Sequence, residues 1–427
     1  RHLSGAAVSS AVGSTSLAPM EAASYLDSVE AKNRFVLLEA DNSTTPWTTS
    51  ALRRADRTLI VVSPDPSEAE ERLATAFSVA ARAAHRPEVW LAVVRTADDP
   101  APSNTSALIK AYGADRAIHV RKGSKADMDR LARLLTGTGV GLVLGGGGAR
   151  GFAHLGVYQA IVEQGIPVDA VSGASIGGIL GAAIATGAPP HEVIAMAKSG
   201  FSDVLDYTVP LVSLVQGHKI TKAIDGVFKG MDIEDLPIPF LCVSTDLTSS
   251  QLIVHDRGPV TKWTRAGLAI PGVIPPVPHE GHLLVDGGVL DNLPIGPLRD
   301  SGLVGTVLAV DLAAPAGPKA RSDFGLGVSG WKALRGSVGR KKRKLPGISA
   351  VLMRTMTVAS MRKRDQQLAA GLADLVLRPK LHGVSLLDFS QVERVAKAGY
   401  ESAKPKIAEW LAAAESEGMN DASPDAS

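Results

Sequence analysis

The chain has 427 residues, 45% hydrophobic and 21% charged, a balance that excludes a disordered or fibrous chain, while the length predicts two domains. A formal net charge of +2 is too small to argue for nucleic acid or another acidic partner over the whole surface. Cys242, the single cysteine, excludes an intrachain disulfide and a cysteine zinc cage, and suits a reducing, cytoplasmic setting. Aromatics are only 4% of the chain, so the core must be aliphatic.

Residues 1–20 are small and polar, without the basic-then-apolar order of a secretory signal, and the absence of an initial Met is expected of a processed or shortened chain. No uninterrupted apolar run reaches the ~18 residues of a membrane span, and no internal repeat is visible. Residues 35–40, 58–62, 89–94 and 117–120 read as short strands between helical stretches, a small parallel α/β layer. Ser67 with Glu70 makes a capping box for a helix that ends before Pro87. No phosphate-binding glycine loop follows these strands, so this half is assigned no chemistry. A helix over Lys125–Leu135 then ends at Gly137-Thr138-Gly139, the expected domain boundary.

The second unit opens with a strand at 140–144, the run Gly145-Gly146-Gly147-Gly148-Ala149-Arg150-Gly151 and a helix from Phe152. A strand at 168–171 leads into Gly173-Ala174-Ser175-Ile176-Gly177 and an apolar helix. Further strands are expected at 240–244, 251–254, 283–285 and 305–310, a three-layer α/β pattern.

Gly173-Ala-Ser175-Ile-Gly177 has the spacing of a nucleophile elbow, in which small flanking residues let a strand turn sharply into a helix and expose the serine at the helix N-terminus. A tight glycine turn with an incidental serine is the plain alternative. The glycine run also fits Gly-x-Gly-x-x-Gly, so a dinucleotide site is a rival; Asp169, however, stands at the start of its strand, the wrong place for a ribose contact. Phe152 after Gly151 excludes a P-loop. What remains is a loop whose unobstructed N–H groups form an oxyanion hole. A serine needs a base, and Asp286 in Val285-Asp286-Gly287-Gly288-Val289 is the candidate, against the alternative of a plain Asp-Gly turn. His382, the only histidine after Asp286, sits in a surface-like turn; His154, His218, His255, His279 and His282 read as helix, loop or rim residues.

Glycine loop, elbow serine and Asp-Gly-Gly, in that order, resemble the patatin-like phospholipase family. The segments Gly230-Met-Asp-Ile-Glu-Asp-Leu-Pro-Ile-Pro-Phe240, Val243-Ser-Thr-Asp-Leu-Thr-Ser249, Ile270-Pro-Gly-Val-Ile-Pro-Pro276 and His282-Leu-Leu-Val-Asp-Gly-Gly288, with Asn292-Leu-Pro294, resemble its neuropathy target esterase branch. Phe35-Val-Leu-Leu-Glu-Ala-Asp41, Pro46-Trp47 and Arg54-Ala-Asp56 resemble the linker domain that precedes catalysis in that branch. Larger members carry cyclic-nucleotide-binding domains upstream, and this sequence contains none. The resemblance implies a patatin-like domain with a central, mostly parallel sheet over 139–385. A small α/β linker domain at 31–138 precedes it, with a flexible segment at 1–30, a helical segment at 386–414 and a disordered tail at 415–427.

Carried onto matching positions, the resemblance implies Ser175 as nucleophile and Asp286 as its only base, a dyad without histidine. It implies the amides of Gly146, Gly147 and Gly148 as the oxyanion hole, Arg150 as a brace for that loop, and Gly151, Gly173, Gly177, Gly287 and Gly288 as supports. No metal or cofactor is expected. Asp291, shortly beyond the base, is either a turn cap or a rival aspartate. The expected activity is a serine esterase for acyl esters of lysophospholipids or phospholipids. The competing readings are a catalytically idle binding or regulatory module of the same fold and a dinucleotide-binding oxidoreductase. Arg340-Lys341-Lys342-Arg343-Lys344 is either a solvated loop or a peripheral foothold on anionic membrane. The apolar segments 211–215 and 273–277 either line an acyl groove or belong to the core.

Overall fold

The computed structural model describes residues 1–12, 19–84, 88–99, 101–201, 204–312, 327, 329, 348–386 and 388–421. The chain opens with β1 (His2–Ser4), α1 (Gly5–Val12), α2 (Pro19–Glu30), β2 (Leu37–Glu39) and α3 (Pro46–Arg54). Residues 1–30 were expected to be flexible. They are instead folded where described, because Leu3, Val8, Leu26 and Val29 are buried against Trp47 and Ala51. β2 pairs in parallel with β1, so the apolar run at 35–40 forms its own two-stranded ribbon rather than joining the sheet that follows.

That sheet is three-stranded and parallel, in the order β3 (Arg57–Val62), β4 (Glu88–Arg95), β5 (Arg116–Arg121). It is wound with α4 (Glu68–Ala84), α5 (Thr105–Ala111) and α6 (Lys125–Leu135), whose N-cap Ser124 accepts from the Asp127 amide.

The larger unit begins with β6 (Gly139–Leu144), a short 3₁₀ turn (Gly148–Phe152), α7 (Ala153–Glu163), β7 (Ala170–Ala174) and α8 (Ile176–Ala185). It continues through α9 (Pro190–Gly200), α10 (His218–Phe228), β8 (Phe240–Asp246), β9 (Gln251–His255), α11 (Val260–Gly267), β10 (Val277–His279) and β11 (His282–Asp286). It ends with α12 (Ile295–Asp300), β12 (Val304–Val310), α13 (Ile348–Ala369), β13 (Leu375–Leu377) and α14 (Val392–Asp421). Its sheet is eight-stranded: β13, β12, β6, β7 and β8 run parallel, and β9, β11 and β10 add antiparallel pairs at one side.

Alternation along the buried strands divides the core between the two faces of this sheet. Leu142, Leu144, Val171 and Cys242 pack on one face with residues of α7, α8 and α14. Val143, Ala170 and Leu241 pack on the other with α12 and with Trp90, Ile118, Val120 and Leu134 of the first layer. The two units thus share one hydrophobic cluster. α14 runs on to Asp421, past residue 415 where a disordered tail was expected. Its run of Leu411, three alanines and Glu415 has strong helix propensity, which outweighs the shortage of apolar residues to bury.

Candidate active site

β8 acts as the ruler that brings the two ends of the site together. Its residues Val171-facing Phe240 to Ala174-facing Val243 pair with β7 in parallel, and the next residue, Ser244, pairs with Asp286 of antiparallel β11. Since β9 occupies the opposite edge of β8, β7 and β11 share one edge and their C-terminal ends meet. Ser175 follows the first and Asp286 closes the second. Ser175 Oγ donates to Asp286 Oδ2 at 2.6 Å, and both residues are buried.

Ser175 has φ 54° and ψ −129° and caps α8, a strained conformation for a residue with a side chain, held by its surroundings. A Cβ at Gly173 would lie 2.3 Å from the Gly177 carbonyl oxygen, and one at Gly177 would lie 2.2 Å from that of Leu144. Those two glycines permit the turn that aims the hydroxyl. The second carboxylate oxygen, Asp286 Oδ1, accepts the Gly288 amide at 2.7 Å, while Gly287 fits closely over the Val243 carbonyl. Burial pushes the Asp286 carboxyl up to about 6, against the opposing pull of the bonds from Ser175 and Gly288. Asp286 is therefore a carboxylate near neutrality with two hydrogen-bond donors, and among the described residues no arginine or lysine bonds to it.

The glycine loop leaves β6 directly beside the serine: a Cβ at Gly146 would come within 3.0 Å of Ser175 Cβ. The Gly146 amide donates to the Asn292 carbonyl at 3.1 Å, and the Asn292 side-chain amide returns a bond to Gly146 O at 3.2 Å. Gly148 takes a positive φ of 55° with Leu386 packed over it. The Ala149 amide donates to Leu386 O at 2.8 Å, and Arg150 Nε to Val384 O at 3.2 Å. Arg150 thus ties the loop to the 384–386 segment, and Gly151 packs against Ile176.

Asp169, the residue a dinucleotide reading needs, is buried and bound by Arg133 through two contacts of 2.8 Å, and also accepts the Val140 amide. Its role is to join α6 to the start of β7, where it cannot hold a ribose. Asp291 is likewise held elsewhere, with Lys363 of α13 at 2.8 Å and the Leu293 amide at 3.2 Å. The histidines lie on other partners. His154 Nε2 contacts Gly145 O at 2.7 Å, His255 Nε2 contacts Ser244 Oγ at 2.7 Å and His282 Nδ1 contacts Asp246 at 2.7 Å; His382 is joined to Arg394 through its backbone carbonyl. Burial lowers His154 to about 4, keeping it neutral beneath the glycine loop.

Sequence reasoning missed two supports of that loop, Asn292 and His154. Asn292 carried a signal, since it follows the Asp-Gly-Gly run closely; His154 looked like any helix residue. The five-cation run at 340–344 lies outside the described residues. Among the described residues no helix is long and apolar enough to cross a membrane, and no three His, Cys, Asp or Glu side chains gather as metal ligands.

A family model for patatin-like phospholipase matches residues 142–299, the stretch that holds Ser175, Asp286 and the glycine loop. The patatin-like phospholipase domain-containing protein 7 of Rattus norvegicus is 31% identical over 91% of this chain and 31% of its own length. The neuropathy target esterase sws of Drosophila melanogaster is 30% identical over 88% of this chain and 29% of its own. The lysophospholipase NTE1 of Cryptococcus neoformans is 30% identical over 92% and 27%. The chain spans about a third of the length of these relatives. With identity of this level running through both units, the chain belongs to the patatin-like phospholipase family.

Proposed function

We propose that the chain hydrolyses acyl esters of lysophospholipids or phospholipids through Ser175 and Asp286. The observation that carries this reading is the 2.6 Å bond from a strained, buried serine at a helix N-terminus to a carboxylate whose protonation range burial moves toward neutrality. In the first step Ser175 Oγ attacks the ester carbonyl carbon and its proton passes to Asp286 Oδ2. The carbonyl oxygen, now negative, is met by the amides of Gly147 and Gly148 and by the N-terminal end of α8. Gly146, whose amide already serves Asn292, shapes the loop. As the tetrahedral species collapses, Asp286 gives the proton to the leaving alcohol oxygen. Water then attacks the acyl-serine, again losing a proton to Asp286. As this second tetrahedral species collapses, the bond to Ser175 Oγ breaks, Asp286 returns the proton to that oxygen and the carboxylic acid leaves.

Lipid esters as the substrate class are supported by the names of the relatives, one a lysophospholipase and one an esterase. The basic run supports peripheral contact with anionic bilayers, at about 1 kcal/mol per basic residue that reaches the surface; replacing its five cations with Ser and Gln should weaken sedimentation with anionic vesicles at low salt and leave turnover of a soluble ester unchanged. The catalytic reading is tested with Ser175→Ala on lysophosphatidylcholine and on a short-chain chromogenic ester. A folded protein with less than about a hundredth of wild-type turnover on both is expected, and turnover above that level contradicts it.

A further inference from the structure

Between α9 and α10 the chain makes an excursion that the proposed chemistry does not use. Tyr207 and Val215 form an antiparallel bridge, the Thr208 amide donates to Leu214 O at 3.0 Å and the Gln216 amide to Asp206 O at 2.7 Å. The result is a narrow finger. Its base is fixed to the body by the Leu214 and Val215 amides, which donate to Gly272 O and Val273 O at 3.1 Å each. Ser213 Oγ turns inward to Val215 O. The finger holds no charged residue from Tyr207 to Val215. At its tip Leu211 is 89% exposed, flanked by Val209 at 72% and Val212 at 71%, with Tyr207 at 70%. Of the segment 211–215, expected to line a groove or enter the core, only Ser213 and Val215 are buried. Single exposed aliphatic side chains are ordinary; several on one ordered, uncharged projection mark a binding surface.

Three observations point to a lipid surface as the occupant. The finger joins the two helices that wall an apolar cavity, where Phe201, Ile224 and Phe228 face Ile179, Leu180 and Ala183 of α8. α8 is the helix that Ser175 caps, so the cavity between the finger's two flanking helices shares a wall with the element that carries the nucleophile. The loop that pins the finger also carries Ala269, whose carbonyl accepts the Asp286 amide at 3.0 Å, which fixes the finger relative to the site. Finally, Tyr207 stands at the finger's base and Lys219 and Lys222 are exposed on the first turns of α10, the order of aliphatic tip, amphipathic ring and cation found from the acyl boundary outward to lipid head groups.

We infer that residues 207–215 form a lipid-docking finger, whose tip enters the acyl boundary of a phospholipid surface while its pinned base holds the body of the enzyme against it. The purpose of this docking rests on the lipid-ester reading, but its measurement does not. The double variant Leu211→Glu, Val212→Glu is compared with the wild type by sedimentation with neutral phosphatidylcholine vesicles and by turnover of a soluble short-chain ester. A loss of about a hundredfold in vesicle partitioning is expected from removing two buried aliphatic side chains, with ester turnover unchanged. Because Cys242 is buried, Leu211→Cys offers one accessible thiol for a polarity-sensitive dye, whose emission should shift to the blue when vesicles are added. Equal partitioning of variant and wild type overturns the inference, as does a dye that reports water in the presence of vesicles. A wild type that ignores vesicles but forms a dimer, which the double variant breaks, overturns it in favour of a second copy. If the finger binds lipid while the wild type turns over no ester, the finger stands and the catalytic proposal fails.

Discussion

Two buried carboxylates, Asp127 in the first parallel layer and Asp286 in the second, are treated in opposite ways. In the first layer Asp127 is almost fully buried and meets two arginines, Arg121 at 2.7 Å and Arg130 at 3.0 Å. Burial alone would raise its carboxyl, but the bonds from the Arg121 side chain and amide and the charge of Arg130 outweigh that and bring it down to about 2. Asp286 is buried to a similar degree and receives one hydroxyl and one amide, so burial prevails and its carboxyl rises to about 6. A carboxylate that holds structure is suited by cations, and one proposed to accept and return a proton is suited by their absence, as at Asp286 among the described residues. Asp169 and Asp291, each with a basic partner, fall with Asp127, although burial still lifts Asp291 above the ordinary range.

The largest expected effect follows from removing the Asp286 carboxylate. Asp286→Asn should lower kcat by about a thousandfold or more, as loss of the group that activates a nucleophile does, while Asp291→Asn on folded protein should spare the chemical step. A comparable loss of kcat from Asp291→Asn would erase the distinction between the two aspartates.

The same contrast has opposite signs in stability. Because the folded-state value of Asp286 lies above its ordinary 3.8, ionising it opposes folding: the cost is absent below pH 3.8, grows as pH rises and is complete above about 6. Asp286→Asn should therefore stabilise the protein at pH 8 by on the order of 3 kcal/mol and lose that advantage near pH 4, read as a shift in denaturant midpoint. Asp127 behaves in the reverse sense. Its depressed value contributes stability that is complete above pH 3.8 and is lost as pH falls through about 2, so Asp127→Asn should cost about 2 kcal/mol at pH 7 and leave ester turnover untouched. A Asp286→Asn variant less stable at pH 8 than at pH 4, relative to wild type, would reverse the assignment.

The smallest effect is the one expected of His382→Ala. With its backbone carbonyl facing Arg394 and no bond to either site residue, its removal should change kcat by less than about twofold. A loss matching that of Asp286→Asn would require a triad.

Much of this arrangement is legible in the sequence, because glycine leaves a strong trace where backbones approach closely. Gly173, Gly177 and the 145–148 run marked the elbow and the loop, and Asp286 stood out by its Gly287-Gly288 neighbours. The strands of both sheets were readable as apolar runs. What was not readable depends on contacts between distant segments. The burial of Leu3, Val8, Leu26 and Val29 comes from their fit around Trp47 and Ala51, and no local pattern in a small, polar stretch announces that. The engagement of the Gly146 amide by Asn292 is a tertiary bond, as is the clasp of Val384 and Leu386 on the glycine loop. The exposure of Leu211 and Val212 was hidden for the opposite reason, since an apolar run reads as core until a structure places it outside.

The central claim, that a lone buried carboxylate activates Ser175, is tested most directly by the pH dependence of labelling with a fluorophosphonate, the modified residue being mapped by mass spectrometry. The adduct should sit on Ser175, and its rate of formation should rise through about pH 6, where Asp286 loses its proton, and level off above pH 7; in Asp286→Asn that rise should vanish and labelling should be slowed by orders of magnitude. An adduct on another residue, or labelling of Ser175 at the wild-type rate in Asp286→Asn, would contradict the account.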